Sequence, residues 1–385
     1  MSRAVSAVAK EYSRGTRLVV VVSAVGKTTD RLLELTNGHN LVEHDRDDIL
    51  AMGERTSARI FAASLKTLGV QARYFDPSDR DWPIITDDNF SQANPLQRVC
   101  TSRIRRFVKP IVEEGIVPVI AGFVGRTGDG RVSTLGRGGS DTTALLLANA
   151  LGAHEVVLVT DAPGIMTGDP KLIPQPKLIR RIEMRTLSGM ADSGTKFIHR
   201  KALQYKSPTI DVRVVSQTLG DLRAPGTIIS GEPIPELEVS VHNPHPVASV
   251  TLLGRSLSKD PRLMAKVTSI AKKNLVASSE DSESIILYLK ETPSLNKEIA
   301  QLHKVVLASK GGIAVAARNG TTLITVKGVG LEDTPGVTAR ITESLRINDI
   351  NIYGVLTITS SVLVLVNWRD RTRAAMLIRS ALEGN

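Results

Sequence analysis

The chain has one cysteine, few aromatic residues and no long hydrophobic run. The single cysteine, Cys100, excludes an internal disulfide bond and a cysteine-based metal cluster. Aromatic residues make up 3% of the chain, so we expect an aliphatic core and few stacking platforms for single-stranded nucleic acid. No apolar run approaches the roughly 18 residues that span a bilayer, and the amino-terminal stretch lacks a secretory hydrophobic segment. These absences predict a cytoplasmic protein without a membrane segment.

The charge of the chain is basic, with a net charge of +10 and an isoelectric point near 9.7. This balance is compatible with nucleic-acid binding and equally suits anionic small substrates. The basic clusters at Arg103–Arg106 and Arg180–Arg181 lie in or beside helical patterns with apolar faces. We therefore expect solvated helix surfaces and no nucleic-acid partner.

The length of 385 residues predicts two or three domains. Strand and helix patterns alternate up to about residue 230, which is typical of an α/β domain with a mainly parallel sheet. Three apolar runs are predicted as strands covered on both faces: Leu18–Val22, Val117–Ala121 and Val156–Thr160. Helices are predicted at Thr28–Asn37, Asp48–Leu68, Gln97–Glu114 and Asp141–Leu151, each followed by a glycine suited to a left-handed helix end.

A repeat follows a proline-rich stretch, residues 231–235, which is predicted as a linker. The first copy begins with a strand at Val247–Leu252 and the second with a strand at Thr322–Val326. In each copy a helix, two alternating strands and a closing helix come next, which predicts two βαββαβ units. Small α+β units behind an α/β domain indicate a ligand-sensing or dimerising part, although structural packing alone would also explain them.

Residues 18–30, LVVVVSAVGKTTD, resemble a Walker A phosphate loop only in part. That loop requires a glycine five positions before the glycine of GK, and Val21 stands there. A β-branched residue does not suit the positive φ that the loop needs. The segment is therefore predicted to be a buried strand feeding a helix, with a site at the strand's carboxyl end.

The most specific stretch is a glycine-rich one, residues 132–144, VSTLGRGGSDTTA. It leads into a helix whose N-cap is expected to be Ser140 or Asp141. The start of a helix attracts anions, and the Arg137 guanidinium can grip a carboxylate or phosphate with two hydrogen bonds. We interpret the stretch as an anion site, since three glycines, an arginine and a cap exceed what a plain turn needs.

Three further places carry polar residues that suit a binding site. Thr160 and Asp161 end a strand, where side chains of neighbouring strands meet in one crevice, although Asp161 would also serve as a turn cap. Lys196 stands in the first turn of a predicted helix, which favours an anionic neighbour, yet solvent would neutralise it equally well. Glu54 follows a glycine within a helix and would orient a substrate amino group or simply face solvent.

Together these stretches resemble aspartate kinase, of the amino acid kinase superfamily, over nearly the whole chain. STLGRGGSDTTA is the most specific match, and the GER-x-S element at Gly53–Ser57 and SGTKFIH near Lys196 agree with it. The resemblance implies an αβα sandwich with a mainly parallel sheet, followed by two α+β ACT domains. It places the kinase domain at residues 1–232, the first ACT domain at 244–310 and the second at 311–385, with 236–243 pairing into the second.

The resemblance implies transfer of the γ-phosphoryl group of MgATP to the side-chain carboxylate of L-aspartate, the entry to lysine, threonine and methionine biosynthesis. It assigns substrate binding to Thr29, Glu54, Arg137, Ser140 and Asp141. It assigns the nucleotide to Thr160, Asp161, Met166, Thr167, Gly168, Asp169, Pro170, Lys171 and Lys196. Catalysis would rest on Asp161, Lys196 and Arg137, and Mg²⁺ would be held mainly by phosphate and water. A lysine or threonine effector is expected near Asp260, Asn348 and Ile350, in a homodimer or homotetramer built through the ACT domains.

The chain departs from the family pattern in three places. The family's opening strand ends in K-F/Y-G-G, and no such sequence is present, so we expect either a start farther upstream or the loss of a phosphate ligand. The nucleotide loop has Pro163 and Met166 where an aspartate and an aromatic residue are usual, and Lys171 where arginine is usual. Two alternatives follow: a catalytically impaired amino-acid sensor, or another amino acid kinase acting on N-acetylglutamate or glutamate.

Overall fold

The structure, a computed structural model, describes residues 1–169, 171–191, 200–232, 237–241, 244–328, 331, 334–358 and 361–383. Residue contacts divide the chain into two units, Met1–Ile234 and Pro235–Asn385. In the described ranges, no helix combines the length and the apolar character needed to cross a membrane.

Glycines end the long helices of the first unit. Gly69, Gly115 and Gly152 follow three of them with φ of +77°, +79° and +65°, the left-handed conformation predicted for these positions. The helices are α1 (Ser2–Ser13), α2 (Thr28–Thr36), α3 (Glu43–Thr67), α4 (Gln97–Arg103), α5 (Lys109–Glu113), α6 (Gly139–Leu151), α7 (Met184–Ala191) and α8 (Arg200–Leu203). The start of α3 is five residues earlier than predicted, at Glu43 instead of Asp48.

A π-helical turn, Ile104–Val108, joins α4 to α5, where one uninterrupted helix was predicted. The Lys109 N–H donates to the Ile104 carbonyl, five residues back. Pro110 has no N–H to donate to the preceding turn, which accounts for the wider helix at this point.

The described strands of the first unit form three sheets. They are β1 (Val20–Val22), β2 (Ala72–Phe75), β3 (Ile85–Thr86), β4 (Val117–Ala121), β5 (Val124–Thr127), β6 (Val132–Thr134), β7 (Glu155–Thr160), β8 (Arg181–Glu183), β9 (Asp211–Ser216) and β10 (Thr227–Ser230). β1, β4 and β2 are parallel and lie in that order, whereas β7, β9, β10 and β8 form a mixed sheet. The third sheet, β3-β5-β6, leads into the glycine-rich stretch.

Burial separates two strands that looked alike in sequence. All five residues of β4 are buried, as predicted. The same expectation is wrong for β7, where Val159 is 48% exposed. The order of the sheet supplies the reason, since β4 lies between two strands and β7 lies at an edge. α3 contacts β4, and α6 contacts both β1 and β7, so helices that carry site residues pack directly on the strands.

In the described residues of the second unit, seven strands form one sheet, which four α-helices cover. Its strands are β11 (Leu237–Val241), β12 (Val247–Gly254), β13 (Leu275–Glu280), β14 (Ser284–Lys290), β15 (Gly312–Gly328), β16 (Ile352–Ile358) and β17 (Ser361–Asn367). Its helices are α9 (Pro261–Ala271), α10 (Leu295–Leu307), α11 (Val337–Arg346) and α12 (Arg371–Glu383). The order is β13-β14-β12-β15-β17-β16, and β11 also pairs with β15.

The long strand β15 serves both copies of the repeat. Its first half pairs with β12, and its second half pairs with β17 and with β11, where Val239 lies opposite Val326. Each copy has its own aliphatic core, one around Leu252 and Leu302 and the other around Ile324 and Ile341. The repeat thus folds as two βαββαβ units on one continuous sheet.

Candidate active site

A cavity of about 530 Å³ lies in the first unit, between the ends of several strands and helices. All five residues to which the resemblance assigns substrate binding line it: Thr29, Glu54, Arg137, Ser140 and Asp141. These residues come from three segments that are far apart in sequence, the start of α2, the middle of α3 and the start of α6. The fold therefore brings the predicted substrate residues together.

The glycine-rich stretch forms one wall of this cavity. Gly136 and Gly138 have φ of +71° and +74°, a conformation that favours glycine. A Cβ placed on Gly139 would lie 2.8 Å from the Cα of Phe123, so this position also excludes a side chain. The glycines let the backbone turn tightly into α6 and leave the Arg137 side chain exposed at the cavity.

The N-cap of α6 is Gly138, so the expected cap by Ser140 or Asp141 is wrong. The helix begins at Gly139, and its N-cap glycine has no side chain to bond the first N–H groups. The Ser140 hydroxyl instead accepts a hydrogen bond of 2.9 Å from the Ser23 hydroxyl, after β1. A Cβ on Gly122 would lie 2.6 Å from Ser140 Oγ, so only glycine after β4 lets the start of α6 come this close.

Glu54 supplies a buried carboxyl group to the cavity. The residue is 4% exposed, and its Oε1 accepts a hydrogen bond of 3.2 Å from the Ala24 N–H. Within the described residues its Oε2 has no hydrogen-bond partner, although it is buried. Burial raises the pKa of Glu54 to about 7. A Cβ on Gly53 would lie 2.9 Å from Ala24 Cβ, so Gly53 allows the close approach that seats Glu54.

The charges of the cavity complement a zwitterion. Arg137 makes no ion pair with a described residue, and the carboxyl group of Glu54 lines the same space. Arg46 of α3 adds a second guanidinium to the lining. A negative group for an ammonium, with positive groups for carboxylates, matches an acidic amino acid.

Two residues of the lining hold strained backbone conformations. Ser91 and Phe123 have φ of +65° and +69°, which non-glycine residues rarely adopt. Such strain concentrates at functional sites. The carboxylate of Asp47, which is 0% exposed, accepts a hydrogen bond of 2.8 Å from the Ser91 N–H.

Asp47 and Arg46 were not singled out from the sequence. One signal was present for Asp47, because residues 47, 50 and 54 fall on one face of a helix. That face is the one that carries Glu54.

None of the described residues predicted for the nucleotide is among the residues that line this cavity. The Thr160 hydroxyl donates to Asp161 Oδ1 over 3.1 Å, at the end of β7. Met166 bridges to Leu178, and the Thr167 N–H donates to the Lys177 carbonyl over 2.8 Å. Gly168 packs on Ile173, and the Lys171 N–H donates to Asp169 Oδ1 over 2.8 Å. Pro170 and Lys196 lie outside the described residues.

The residues expected at the effector site have local roles in the second unit. Asp260 caps α9, since its Oδ1 accepts from the N–H groups of Arg262 and Leu263 over 3.0 and 3.2 Å. The side-chain amide of Asn348 donates to the Ser344 carbonyl over 2.9 Å. Ile350 is 5% exposed and belongs to the core of the second copy.

Comparison with known proteins decides the family. The model of the amino acid kinase family matches residues 1–216. Aspartokinase from Corynebacterium glutamicum is 31% identical over 96% of this chain and 89% of its own length. Aspartokinase from Thermus thermophilus is 31% identical over 98% of this chain and 93% of its own length. The chain belongs to the aspartokinase family.

A solved structure agrees with this family. The crystal structure of aspartate kinase from Synechocystis matches with a TM-score of 0.77 and 25% identity, over 99% of this chain and 67% of that one. Aspartokinases are phosphotransferases that use a nucleotide, and the family's members carry allosteric regulatory domains. The two alternatives, an impaired sensor and a kinase for N-acetylglutamate or glutamate, are not favoured.

Proposed function

We propose that the cavity beside Arg137 is the aspartate site of this aspartokinase family member. The observation that carries the proposal is the charge pattern of the cavity. Glu54 offers a buried oxygen without a described partner, and Arg137 offers a guanidinium without an ion pair in the described part of the chain. An α-amino acid with a second carboxylate satisfies both groups.

In this arrangement each charged group of the substrate has a partner of opposite charge in the cavity. Glu54 binds the ammonium, and Arg137 grips a carboxylate through two parallel hydrogen bonds. Thr29, Ser140 and Asp141 surround the remaining polar atoms of the substrate. The side-chain carboxylate of aspartate is ionised at neutral pH, so the attacking oxygen needs alignment rather than a strong base.

The nucleotide would lie along Thr160, Asp161 and residues 166–171, with Lys196 at its phosphates. Transfer of a phosphoryl group depends on alignment and on neutralising negative charge, which is what lysine and arginine supply. Mg²⁺ would neutralise phosphate charge when bound with ATP. Phosphate and water would supply most of its ligands, and the carboxylate of Asp161, directly after β7, would suit it.

Regulation is proposed for the second unit, with a lysine or threonine effector near Asp260 and residues 348–350. The two ends of its sheet, β13 and β16, present strand edges that suit pairing with a second copy. We propose a homodimer or homotetramer through these edges. Light scattering of the purified chain tests this, and a monomer at every concentration would contradict it.

The test of the activity is a substrate panel. Purified chain with ATP and Mg²⁺ is given L-aspartate, L-glutamate or N-acetyl-L-glutamate, and ADP release is measured beside acyl phosphate trapped as a hydroxamate. Of the three substrates, we expect only L-aspartate to give product. Phosphorylation of N-acetyl-L-glutamate together with no phosphorylation of L-aspartate would overturn the proposal. Binding of aspartate, measured by calorimetry without nucleotide, tests the site separately from turnover.

A further inference from the structure

Asp47 is a fully buried carboxylate that the proposed reaction does not use. The residue lies on α3 and is 0% exposed. Its Oδ2 accepts from the N–H groups of Ser91 and Thr134 over 2.8 and 2.7 Å. Its Oδ1 accepts from the hydroxyl groups of the same two residues over 3.2 and 3.0 Å. Four neutral donors thus satisfy one carboxylate, without an ion pair to any described residue.

These four hydrogen bonds join the segments that surround the cavity. Ser91 precedes Gln92, whose Oε1 would lie 2.5 Å from a Cβ on Gly136. Thr134 ends β6, three residues before Arg137. Asp47 itself lies seven residues before Glu54 on one helix, so the two carboxyl groups share a face about 10 Å apart along the axis.

The strain at Ser91 fits this role. Its φ of +65° is a conformation that costs free energy, and its N–H and hydroxyl both point to Asp47. The two hydrogen bonds to Asp47 offset part of this cost, because one carboxylate binds both the N–H and the hydroxyl of Ser91.

A second buried carboxylate provides the contrast. Asp76 is 5% exposed and also binds α3, through ion pairs with Arg55 and Arg59. No hydrogen bond joins Asp76 to Ser91 or Thr134, all described residues, and Asp76 is not in the cavity lining. Both carboxylates are buried, but their partners differ. The described partners of the Asp76 carboxylate are Arg55, Arg59 and Ser78, which are not in the cavity lining. Asp47 bonds Ser91 and Thr134, which both line the cavity.

We propose that Asp47 is a positioning residue that sets the separation between Glu54 and Arg137 and thereby selects the length of the amino-acid substrate. The inference rests on the proposed aspartate site. Asp47 contacts no substrate atom and acts through α3, Ser91 and Thr134. Discrimination by length requires that Arg137 grip the side-chain carboxylate, because the α-carboxylate lies equally far from the ammonium in aspartate and glutamate. A substrate one methylene longer than aspartate places its side-chain carboxylate farther from the ammonium, so a fixed separation discriminates between the two.

Substitution of Asp47 and of Asp76 separates positioning from stability. Asp47→Ala removes all four bonds, and we expect the dissociation constant of L-aspartate to rise about tenfold and the preference for L-aspartate over L-glutamate to fall at least about fivefold. Asp76→Ala is the matched control, with a similar loss of melting temperature and an unchanged preference. Asp47→Glu displaces the carboxylate by one methylene and is also expected to change the preference. It is the test variant if Asp47→Ala does not fold.

Asp47→Asn is the conservative variant. Its amide oxygen still accepts from the two N–H groups, and both hydroxyls can turn to accept from its NH₂, so we expect binding within about threefold of the parent chain. An unchanged preference in whichever of Asp47→Ala and Asp47→Glu folds would overturn the inference. So would a loss in Asp47→Asn as large as in Asp47→Ala.

Failure of the proposed function has a different signature. If the parent chain binds no aspartate, the aspartate site is wrong whatever the variants do. Amide hydrogen exchange at Ser91 and Thr134 then tests Asp47 without a ligand. Faster exchange in Asp47→Ala than in Asp76→Ala would support its role in ordering the cavity, and equal exchange would overturn it.

Discussion

The proposed aspartate side and the proposed nucleotide side of the first unit are built differently. On the aspartate side, Glu54 and Asp47 are buried, and glycines at 122, 136 and 139 leave no room for a side chain. On the nucleotide side, the described residues 160–169 and 171 are half-buried or exposed, except Gly164 and Ile165. Ile165 is 0% exposed, and its N–H donates to Thr227 Oγ1 over 2.8 Å. Packing thus fixes the geometry of one side before a ligand arrives, whereas charge on an exposed loop supplies the other.

The largest effect is expected from Arg137→Ala. The guanidinium is the charged partner proposed for a substrate carboxylate, so its loss should raise the dissociation constant of aspartate by about a hundredfold or more. The KM for ATP should change by less than about threefold, because Arg137 lies on the aspartate side. Arg73→Ala, which removes an exposed arginine paired with Asp81, is the control. If Arg137→Ala raised the dissociation constant of aspartate and the KM for ATP by the same factor, Arg137 would not belong to the aspartate side alone, and the contrast between the two sides would be wrong.

Glu54→Gln tests how much the burial of an ionised carboxylate at Glu54 lowers the free energy of unfolding. The folded-state pKa of Glu54 is about 7, above the ordinary value of 4.5, so the folded state binds an extra proton between these values. Glu54 therefore destabilises the fold progressively as the pH rises through this window, by about 3 kcal/mol in total above pH 7. The free energy of unfolding of the parent should fall relative to that of Glu54→Gln between pH 4.5 and 7.5. Chemical denaturation at several pH values measures this, and parallel curves would show that Glu54 titrates normally.

The same ionisation predicts the pH dependence of binding. The ammonium of aspartate needs Glu54 ionised, so affinity should fall about tenfold for each pH unit below about 7. Glu54→Gln should bind weakly and lose this dependence. Calorimetry from pH 5.5 to 8.5 measures both, and the KM for ATP serves as the internal control. An affinity that stays level down to pH 5.5 would remove Glu54 from the ammonium.

The sequence made parts of this contrast predictable. Helix ends were visible because glycine supplies the left-handed conformation, and the specific glycine-rich stretch pointed to Arg137. Asp47 was missed because it stands among Asp45 and Asp48, just before the predicted start of the helix at Asp48. Its helical spacing from Leu50 and Glu54 does not by itself show that it faces inward. Only the packing of α3 decides this, since Asp47 is buried while its two neighbours are exposed.

Two predictions failed for reasons of tertiary structure. The Val156–Thr160 run has an apolar sequence like that of β4. However, β7 lies at the edge of its sheet, and Val159 is therefore exposed. Serine is a residue type that favours the N-cap, yet the N-cap of α6 is Gly138 and not Ser140. The chain turns through two left-handed glycines, Gly136 and Gly138, and the helix begins directly after them. In both places the neighbours of a residue in space, which the local pattern does not contain, decided the outcome.

The smallest effect is expected from Lys171→Ala on the nucleotide side. The side chain is exposed and its charge is screened by solvent, so the KM for ATP should rise only about twofold. Lys171→Arg should keep or improve the ATP binding of the parent chain, because a guanidinium can bind phosphate through two hydrogen bonds. Lys66→Ala, at the exposed end of α3, is the control. If Lys171→Ala weakened ATP as strongly as Arg137→Ala weakens aspartate, the nucleotide side would have to be as tightly organised as the aspartate side, and the contrast between exposed charge and buried geometry would be wrong.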